Sequence, residues 1–196
     1  KIDLLLNLSA SPYTFTKFKS RNKIASFAAH YLKVPVVYVN QVGANDDLIF
    51  DGNSFIINKE GSKIKQLKSF SEDTSCWDIN ENLDLVIENK SSEISSVFDA
   101  LVLGVKDYAK KCGFSSALIG LSGGIDSALV SVIATAALGS ENIFCVSMPS
   151  KWSSAHSIID AKDLAQRLNI SLKTISIEDI MSSFEDSFIE SLNFNP

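Results

Sequence analysis

The spacing of hydrophobic and polar positions changes several times along the first part of the chain. A nearly continuous apolar run at residues 4–8 predicts a buried strand, and residues 17–32 carry apolar side chains at helical spacing. The β-branched run at 36–39 predicts a second buried strand. Turn residues then separate two further expected strands, 54–58 and 63–70, as in an antiparallel hairpin. This pattern predicts the end of an α/β domain.

A polar stretch follows at residues 71–93, rich in Ser, Asp, Glu and Asn, in which only 83–87 could form a short strand. We therefore expect three segments: a first domain at 1–75, a linker at 76–93 and a second domain at 94–196. Because the apolar run begins within two residues of the start of the chain, and the chain stops just after a helical pattern, we expect a fragment of a longer protein.

The second part alternates helical and extended patterns. A helix is predicted from residue 94 to its C-terminal cap at Gly113. Further strands are expected at 117–121, 143–148 and 172–177, and further helices from Asp126 or Ser127 to 138, at about 154–168 and at 178–192. Such alternation implies right-handed crossovers and a parallel sheet with helices on both faces. The expected fold class is α/β, with a partial doubly wound parallel sheet in this part.

Composition and charge narrow the classes of function. The chain has 196 residues, 45% hydrophobic and 21% charged, as in an ordinary globular protein. Its formal net charge of -5 argues against a nucleic-acid partner, which would require clustered Lys and Arg. No apolar run reaches the roughly 18 to 20 residues that span a bilayer, and no signal-peptide pattern is present, so no membrane partner is expected.

The three cysteines are Cys76, Cys112 and Cys145. They are widely spaced and form no CxxC pair, so neither a disulfide framework nor a zinc site is indicated. We expect a reducing cytoplasm and structural or incidental roles for all three.

The strongest chemical signal is the turn Ser122-Gly123-Gly124-Ile125-Asp126-Ser127, between a predicted strand and a predicted helix. In open α/β sheets, ligands bind beyond the carboxyl ends of the strands. Adjacent glycines allow close backbone approach, the helix N-terminus favours an anion, and two hydroxyls add donors. The dinucleotide fingerprint GxGxxG and the P-loop GxxxxGK[ST] are both absent. The expected ligand is a pyrophosphate group.

Asp126 does not fit a simple anion site, because a bare carboxylate repels a pyrophosphate. It is either the helix N-cap or a ligand of a Mg²⁺ ion placed between itself and the phosphates. The metal role is preferred, since Ser122 or Ser127 could fill the N-cap equally well.

The six-residue string resembles the loop of the ATP pyrophosphatase superfamily, whose members split ATP between the α and β phosphates and adenylate a substrate. Its flanks resemble the synthetase domain of glutamine-dependent NAD synthetases at residues 98–108, 113–114, 137–139, 146–150, 153–157 and 160–161. This resemblance implies an adenine nucleotide alpha hydrolase-like domain that binds Mg²⁺ at Asp126 and has Met148, Pro149 and Ser150 beside the adenine. The residues implied in ATP binding are Gly120, Leu121, Ser122, Gly123, Gly124, Ile125, Asp126, Ser127 and Met148.

The first part carries a second resemblance. Residues 7–13, Lys17 and residues 47–52 look like the later half of the nitrilase-like amidase, or glutaminase, domain of the same enzymes. By resemblance, Ser11 and Lys17 would bind the substrate glutamine. The structural alternatives are a turn at a strand end for Ser11 and a solvated helix charge for Lys17. The amidase Cys, Glu and Lys lie upstream of this segment in the family, so no catalytic residue is assigned here.

Together the resemblances imply a cytoplasmic ligase that makes NAD from deamido-NAD, ATP and glutamine, and that is a homo-oligomer when intact. One alternative keeps the loop but changes the acceptor, as in a GMP-synthetase-like enzyme. Another is a nucleotide-binding module without turnover, which we expect of the chain by itself.

Overall fold

The computed structural model describes residues 2–81, 83–86 and 93–192. The chain forms two compact units, Lys1–Tyr108 and Ala109–Pro196, and each has its own hydrophobic cluster. Within the described ranges, no helix is both long enough and apolar enough to cross a bilayer.

The first unit is built on a four-stranded mixed sheet in the order β1-β2-β5-β6. Strand β2 runs parallel to β1 and antiparallel to β5, and a separate hairpin pairs β3 with β4. Its elements are β1 (Leu5–Ser9), α1 (Lys17–Leu32), β2 (Val36–Asn40), β3 (Val42–Asn45), β4 (Leu48–Asp51), β5 (Phe55–Ile57), β6 (Lys63–Gln66) and most of α2 (Glu93–Cys112).

Helix α1 covers one face of this sheet, and its bounds are those predicted from the sequence. Alternate residues of a strand share a face, which brings Tyr38 of β2 and Phe55 of β5 under the helix. Their rings stack with centroids 4.9 Å apart. The opposite face leaves Leu6 and Leu8 of β1 exposed. The buried cluster consists of Ala25, Ala29, Val36, Tyr38, Phe55 and Ile57.

The first unit differs from expectation at three places, one of which is that β6 ends at Gln66 instead of residue 70. The β3–β4 hairpin was not predicted, because its four-residue strands include Gly43, Asn45 and Asp51 and lack a clear alternation. The strand suggested at 83–87 does not form over 83–86, although the Val86 N–H donates to the Lys63 carbonyl at 3.0 Å. Ile87 lies outside the described residues.

The second unit contains a three-stranded parallel sheet in the order β7-β8-β9, which confirms the predicted parallel sheet. A 3₁₀ turn, Ser140–Asn142, precedes β8. The elements are β7 (Ala117–Gly120), α3 (Ile125–Leu138), β8 (Ile143–Ser147), α4 (Ala155–Leu168), β9 (Ser171–Thr174) and α5 (Glu178–Leu192).

Helices α3 and α4 pack on the same face of this sheet. Ala134 of α3 and Ala161 of α4 share one buried cluster with Cys145 of β8, whereas Leu118 and Phe144 are 74% and 47% exposed. From β7 to β8 and from β8 to β9, the chain moves in the same direction across the sheet. Because the two connections have the same hand, their helices lie on the same face of the sheet. Helices on both faces require the strand order to reverse. Helices α3 and α4 therefore cover one face of the described strands.

We expect Phe55→Ala to lower the free energy of unfolding by about 3–5 kcal/mol, because it removes a fully buried ring. The matched control is Phe27→Ala on α1, whose ring is 72% exposed, with an expected change within about 0.5 kcal/mol. Urea denaturation followed by circular dichroism measures both. Equal losses in the two variants would contradict the placement of this core.

Candidate functional site

The glycine-rich turn connects β7 to α3 at the carboxyl edge of the parallel sheet. Helix α3 begins at Ile125, and Gly124 is its N-cap, without a side-chain capping bond. The first bond of the helix joins the Ala128 N–H to the Gly124 carbonyl at 3.1 Å. The N–H groups of residues 125–127 precede that bond and face the N-terminal end of the helix. This arrangement favours an anion.

The two serine hydroxyls of the turn lie beside this helix end. Ser122 Oγ and Ser127 Oγ are 3.1 Å apart, and Ser127 Oγ donates to the Gly124 carbonyl at 3.0 Å. The Ser122 N–H donates to Ser127 Oγ at 3.2 Å, and the Gly124 N–H donates to Ser122 Oγ at 3.3 Å. These bonds fix the backbone of the turn and place two hydroxyl groups at the helix N-terminus, with the Ser127 proton on the Gly124 carbonyl.

Asp126 is exposed and is the second residue of α3, so the N-cap interpretation is wrong. The helix starts one or two residues earlier than expected, at Ile125, and Gly124 takes the capping position. A carboxylate in the first turn stabilises a helix N-terminus, which is the remaining structural role. Across the described ranges, no three His, Cys, Asp or Glu side chains are grouped to bind a metal. Mg²⁺ commonly takes one or two carboxylates with phosphate oxygens and water, so a single Asp126 fits such a site.

The two glycine positions differ in whether the structure leaves room for a side chain. Gly123 has φ +83°, and a Cβ there would clash with the carbonyl oxygen of Ser157 in α4. Gly124 has φ -85°, and its Cβ would meet only Ser122 Oγ, at 3.4 Å. The expectation of a conformation and an approach that exclude side chains therefore holds for Gly123 alone.

Met148 follows β8 and lies beside the end of β7. Its terminal methyl group is 3.4 Å from the position that a Cβ of Gly120 would take. A cavity of about 80 Å³ connects this region to the turn. Since about 10–15 Å³ of such volume is enough for one water molecule, the cavity holds several waters and is smaller than a typical ligand pocket of about 300–1,000 Å³. Its lining residues are Ser122, Ser147, Met148, Pro149, Ser153, Ser157 and Ile158.

Two predicted ATP-binding residues can contribute only through their backbones. Leu121 is 1% exposed, its side chain belongs to the core, and its N–H donates to the Val146 carbonyl at 2.9 Å. Ile125 extends into solvent and is 81% exposed, so its N–H in the first helical turn is the group available to a phosphate.

The predicted glutamine-binding residues both lie in the first unit. Ser11 is half-buried after β1, and its N–H donates to Asn40 Oδ1 at 2.8 Å. Lys17 is half-buried and is the first residue of α1. Sequence reasoning missed Arg21, which bonds to Ser11, because a charged residue in a helical pattern usually faces solvent. It placed Asp51 in a turn and did not pair it with Arg21.

A larger cavity of about 410 Å³ lies in the first unit, lined by residues of β2 and β5 and by residues 71–75. A large pocket is the usual first candidate for a binding site. None of the predicted binding residues lines this one. The candidate nucleotide site is therefore assigned by its donor groups and not by cavity size.

The family model described as NAD synthase matches residues 97–195, just over half of the chain. The chain belongs to the NAD synthase family. The matched part includes the whole glycine-rich turn and Met148.

Named relatives of this NAD synthase family member are considerably longer than the chain. The glutamine-dependent NAD(+) synthetase of Synechocystis sp. is 45% identical over 193 residues, which cover 96% of this chain and 35% of the relative. The corresponding Rhodobacter capsulatus protein is 39% identical and is covered to 34%, with 93% of this chain aligned. The chain thus spans about a third of the length of these relatives.

Solved structures confirm the α/β fold. The glutamine-dependent NAD+ synthetase of Acinetobacter baumannii, in complex with ADP, superposes with a TM-score of 0.90 at 37% identity. That match covers 100% of this chain and 38% of the other. The Cytophaga hutchinsonii enzyme, at 18% identity, gives a TM-score of 0.82 over 97% of this chain and 38% of that chain, which supports the fold alone.

We expect Gly123→Ala to lower the free energy of unfolding by about 1–3 kcal/mol, because it combines a strained φ with a clash against the backbone. The matched control Gly124→Ala puts a poorer N-cap residue in ordinary space, with an expected loss below about 1 kcal/mol. Thermal unfolding measures both variants. A Gly123→Ala protein no less stable than Gly124→Ala would contradict the contact with Ser157.

The cysteines differ in reactivity. Cys145 is buried in β8, and burial raises the pKa of its thiol, while a hydrogen bond with Ser131 acts in the opposite direction. A raised pKa leaves less thiolate at a given pH, and the thiolate is the reactive form. We expect iodoacetamide at pH 8 to label the exposed Cys76 and Cys112 in the native protein, and Cys145 only after denaturation. Peptide mass spectrometry measures each site, and native labelling of Cys145 at the rate of Cys76 would contradict its burial.

Proposed function

We propose that the protein containing this chain forms NAD from deamido-NAD, using ATP for activation and glutamine as the source of ammonia. Membership of the NAD synthase family supports this reaction class. The observation that carries the proposal is the convergence of the Ser122 and Ser127 hydroxyls with the first N–H groups of α3. These groups form a set of donors suited to a pyrophosphate.

In the first step, a carboxylate oxygen of the nicotinate group attacks the α-phosphorus of ATP. The bond between that phosphorus and the oxygen bridging to the β-phosphorus breaks, and pyrophosphate leaves with the bonding electrons. Ser122, Ser127 and the N–H groups of residues 125–127 donate to the departing oxygens, where negative charge grows. Met148 lies beside the adenine. The ADP named with the Acinetobacter baumannii structure supports an adenine nucleotide as a ligand.

Asp126 would bind Mg²⁺ at the start of α3. The ion would offset phosphate charge while pyrophosphate departs. Asp126 faces solvent, so it can share the ion with phosphate oxygens without rearrangement of the helix.

In the second step, the lone pair of ammonia attacks the acyl carbon of the adenylate, AMP leaves, and loss of a proton gives the amide of NAD. We assign the supply of ammonia to hydrolysis of glutamine in a nitrilase-like domain whose later part is the first unit. Ser11 and Lys17 would bind that glutamine. The nucleophile of this hydrolysis is assigned to no residue of the chain.

The cytoplasm is the compartment proposed, because Cys76, Cys112 and Cys145 are free thiols, as is usual in a reducing environment. The GMP-synthetase-like alternative gains no support, since the relatives described above are all named NAD synthetases. A homo-oligomer stays a prediction for the intact protein.

We expect Asp126→Ala to reduce deamido-NAD-dependent pyrophosphate release by about 100-fold or more, because the Mg²⁺ ligand is lost. The measurement is a coupled pyrophosphate assay on the intact protein with saturating ATP. The matched control is Asp163→Ala, which removes an exposed carboxylate of α4 that pairs with Arg167 at 2.7 Å and should leave the rate unchanged. Unaltered release in Asp126→Ala would refute the metal assignment.

A further inference from the structure

A buried ion pair in the first unit joins Arg21 of α1 to Asp51 at the end of β4. Arg21 is 7% exposed and Asp51 is 1% exposed. Arg21 Nη1 donates to both carboxylate oxygens, at 2.8 and 3.0 Å. Asn53 Nδ2 donates to Asp51 Oδ2 at 3.2 Å. The carboxylate thus fixes one side of the guanidinium group.

The other donors of Arg21 all go to the segment that follows β1. Nε donates to Ser11 Oγ at 3.2 Å, and Nη2 donates to the carbonyl oxygens of Ser11 at 2.8 Å and Pro12 at 3.1 Å. A guanidinium group has five N–H donors, so every donor of Arg21 has an acceptor.

Asn40 of β2 contacts the same segment through both atoms of its amide. Its Oδ1 accepts from the Ser11 N–H at 2.8 Å, and its Nδ2 donates to the Ser11 carbonyl at 3.2 Å. With Arg21 on the same carbonyl and on Oγ, the backbone and the side chain of Ser11 are fixed together.

The polarity of these bonds decides what the Ser11 hydroxyl can do. Arginine only donates, so Ser11 Oγ accepts from Arg21, and its own proton is left to donate elsewhere. In the part of the chain that the structure describes, no acceptor contacts this hydroxyl. The proton of this hydroxyl is therefore available to an acceptor on a ligand.

The side chain of Lys17 is also a hydrogen-bond donor. Its ammonium group only donates, is half-buried at the start of α1, and has no acceptor among the described residues. A lysine ammonium group and a serine hydroxyl proton both suit a carboxylate on a ligand.

Stability alone does not account for this arrangement. A buried ion pair often contributes less to stability than apolar residues of the same volume, because both charges lose their hydration. Three of the five bonds from Arg21 go to Ser11 and Pro12 rather than to the carboxylate. The geometry therefore serves to define the position of Ser11.

We propose that Arg21, oriented by Asp51, is a positioning residue for glutamine binding, which holds Ser11 so that its hydroxyl donates to the α-carboxylate of glutamine. This inference rests on the proposed function, in which Ser11 and Lys17 bind glutamine. Arg21 itself does not touch the substrate.

The test is Arg21→Lys in the intact protein, with NAD formation measured once with glutamine and once with ammonium chloride. Lysine retains the charge but lacks the planar fork, so it cannot serve Asp51, Ser11 and Pro12 together. We expect the KM for glutamine to rise about tenfold or more with a smaller change in kcat, since losing one charge-assisted bond corresponds to at least about a tenfold change. The ammonia-driven rate reports on the folding of the second unit, to which the residues of the ATP turn belong.

A second measurement separates positioning from a general loss of structure. Glutaramate keeps the carboxylate of glutamine but lacks the ammonium group, and 4-aminobutanamide keeps the ammonium group but lacks the carboxylate. As competitive inhibitors, only glutaramate should weaken in Arg21→Lys, and Ser11→Ala should show the same selective loss. The control Arg167→Lys, in an exposed ion pair of α4, should change neither inhibition constant.

The outcomes are distinct. An unchanged glutamine KM in Arg21→Lys, an equal loss of the glutamine-driven and ammonia-driven rates, or equal weakening of both inhibitors would each overturn the role of Arg21. Wild-type protein that forms NAD from ammonia but not from glutamine would overturn the proposed use of glutamine instead.

Discussion

The parallel pairing of β7 with β8 is the constraint on which the candidate nucleotide site depends. Gly120 lies opposite Val146, and the Leu121 N–H continues the pairing to the Val146 carbonyl. Parallel strands end at the same edge of a sheet, so the turn after β7 and the residues after β8 emerge side by side. This register places Ser122 and Met148 on one cavity although they are far apart in the chain. Without it, the donors at the start of α3 would have no neighbouring surface for the rest of a nucleotide.

Much of the fold could be predicted where a regular hydrophobic pattern continues over many residues. Helices α1 and α5 begin and end at the expected residues, because each carries an extended helical pattern. The β3–β4 hairpin could not be predicted, since it buries few apolar residues and depends on pairing between segments. Helices α3 and α4 share a face because of the order of the strands in the sheet. The hydrophobic pattern along the chain does not reveal that order.

Part of the candidate site could likewise be predicted from the sequence, and part could not. The glycine-rich turn could be identified from six residues, and the structure places it at the sheet edge as expected. The sequence could not show that only Gly123 excludes a side chain, because that exclusion depends on the backbone of α4. Arg21 and Asp51 gave no usable signal either. Each is an ordinary charged residue in its local pattern, and their contact joins positions 30 residues apart.

The close approach of Gly123 to Ser157 also limits how the turn can move. A Cβ has no room between them, so displacement of Gly123 toward α4 meets the backbone of that helix at once. The hydrogen bonds among Ser122, Gly124 and Ser127 are all internal to the turn and travel with it. Any adjustment to an incoming nucleotide must therefore be outward, or must carry the first turn of α4 with it.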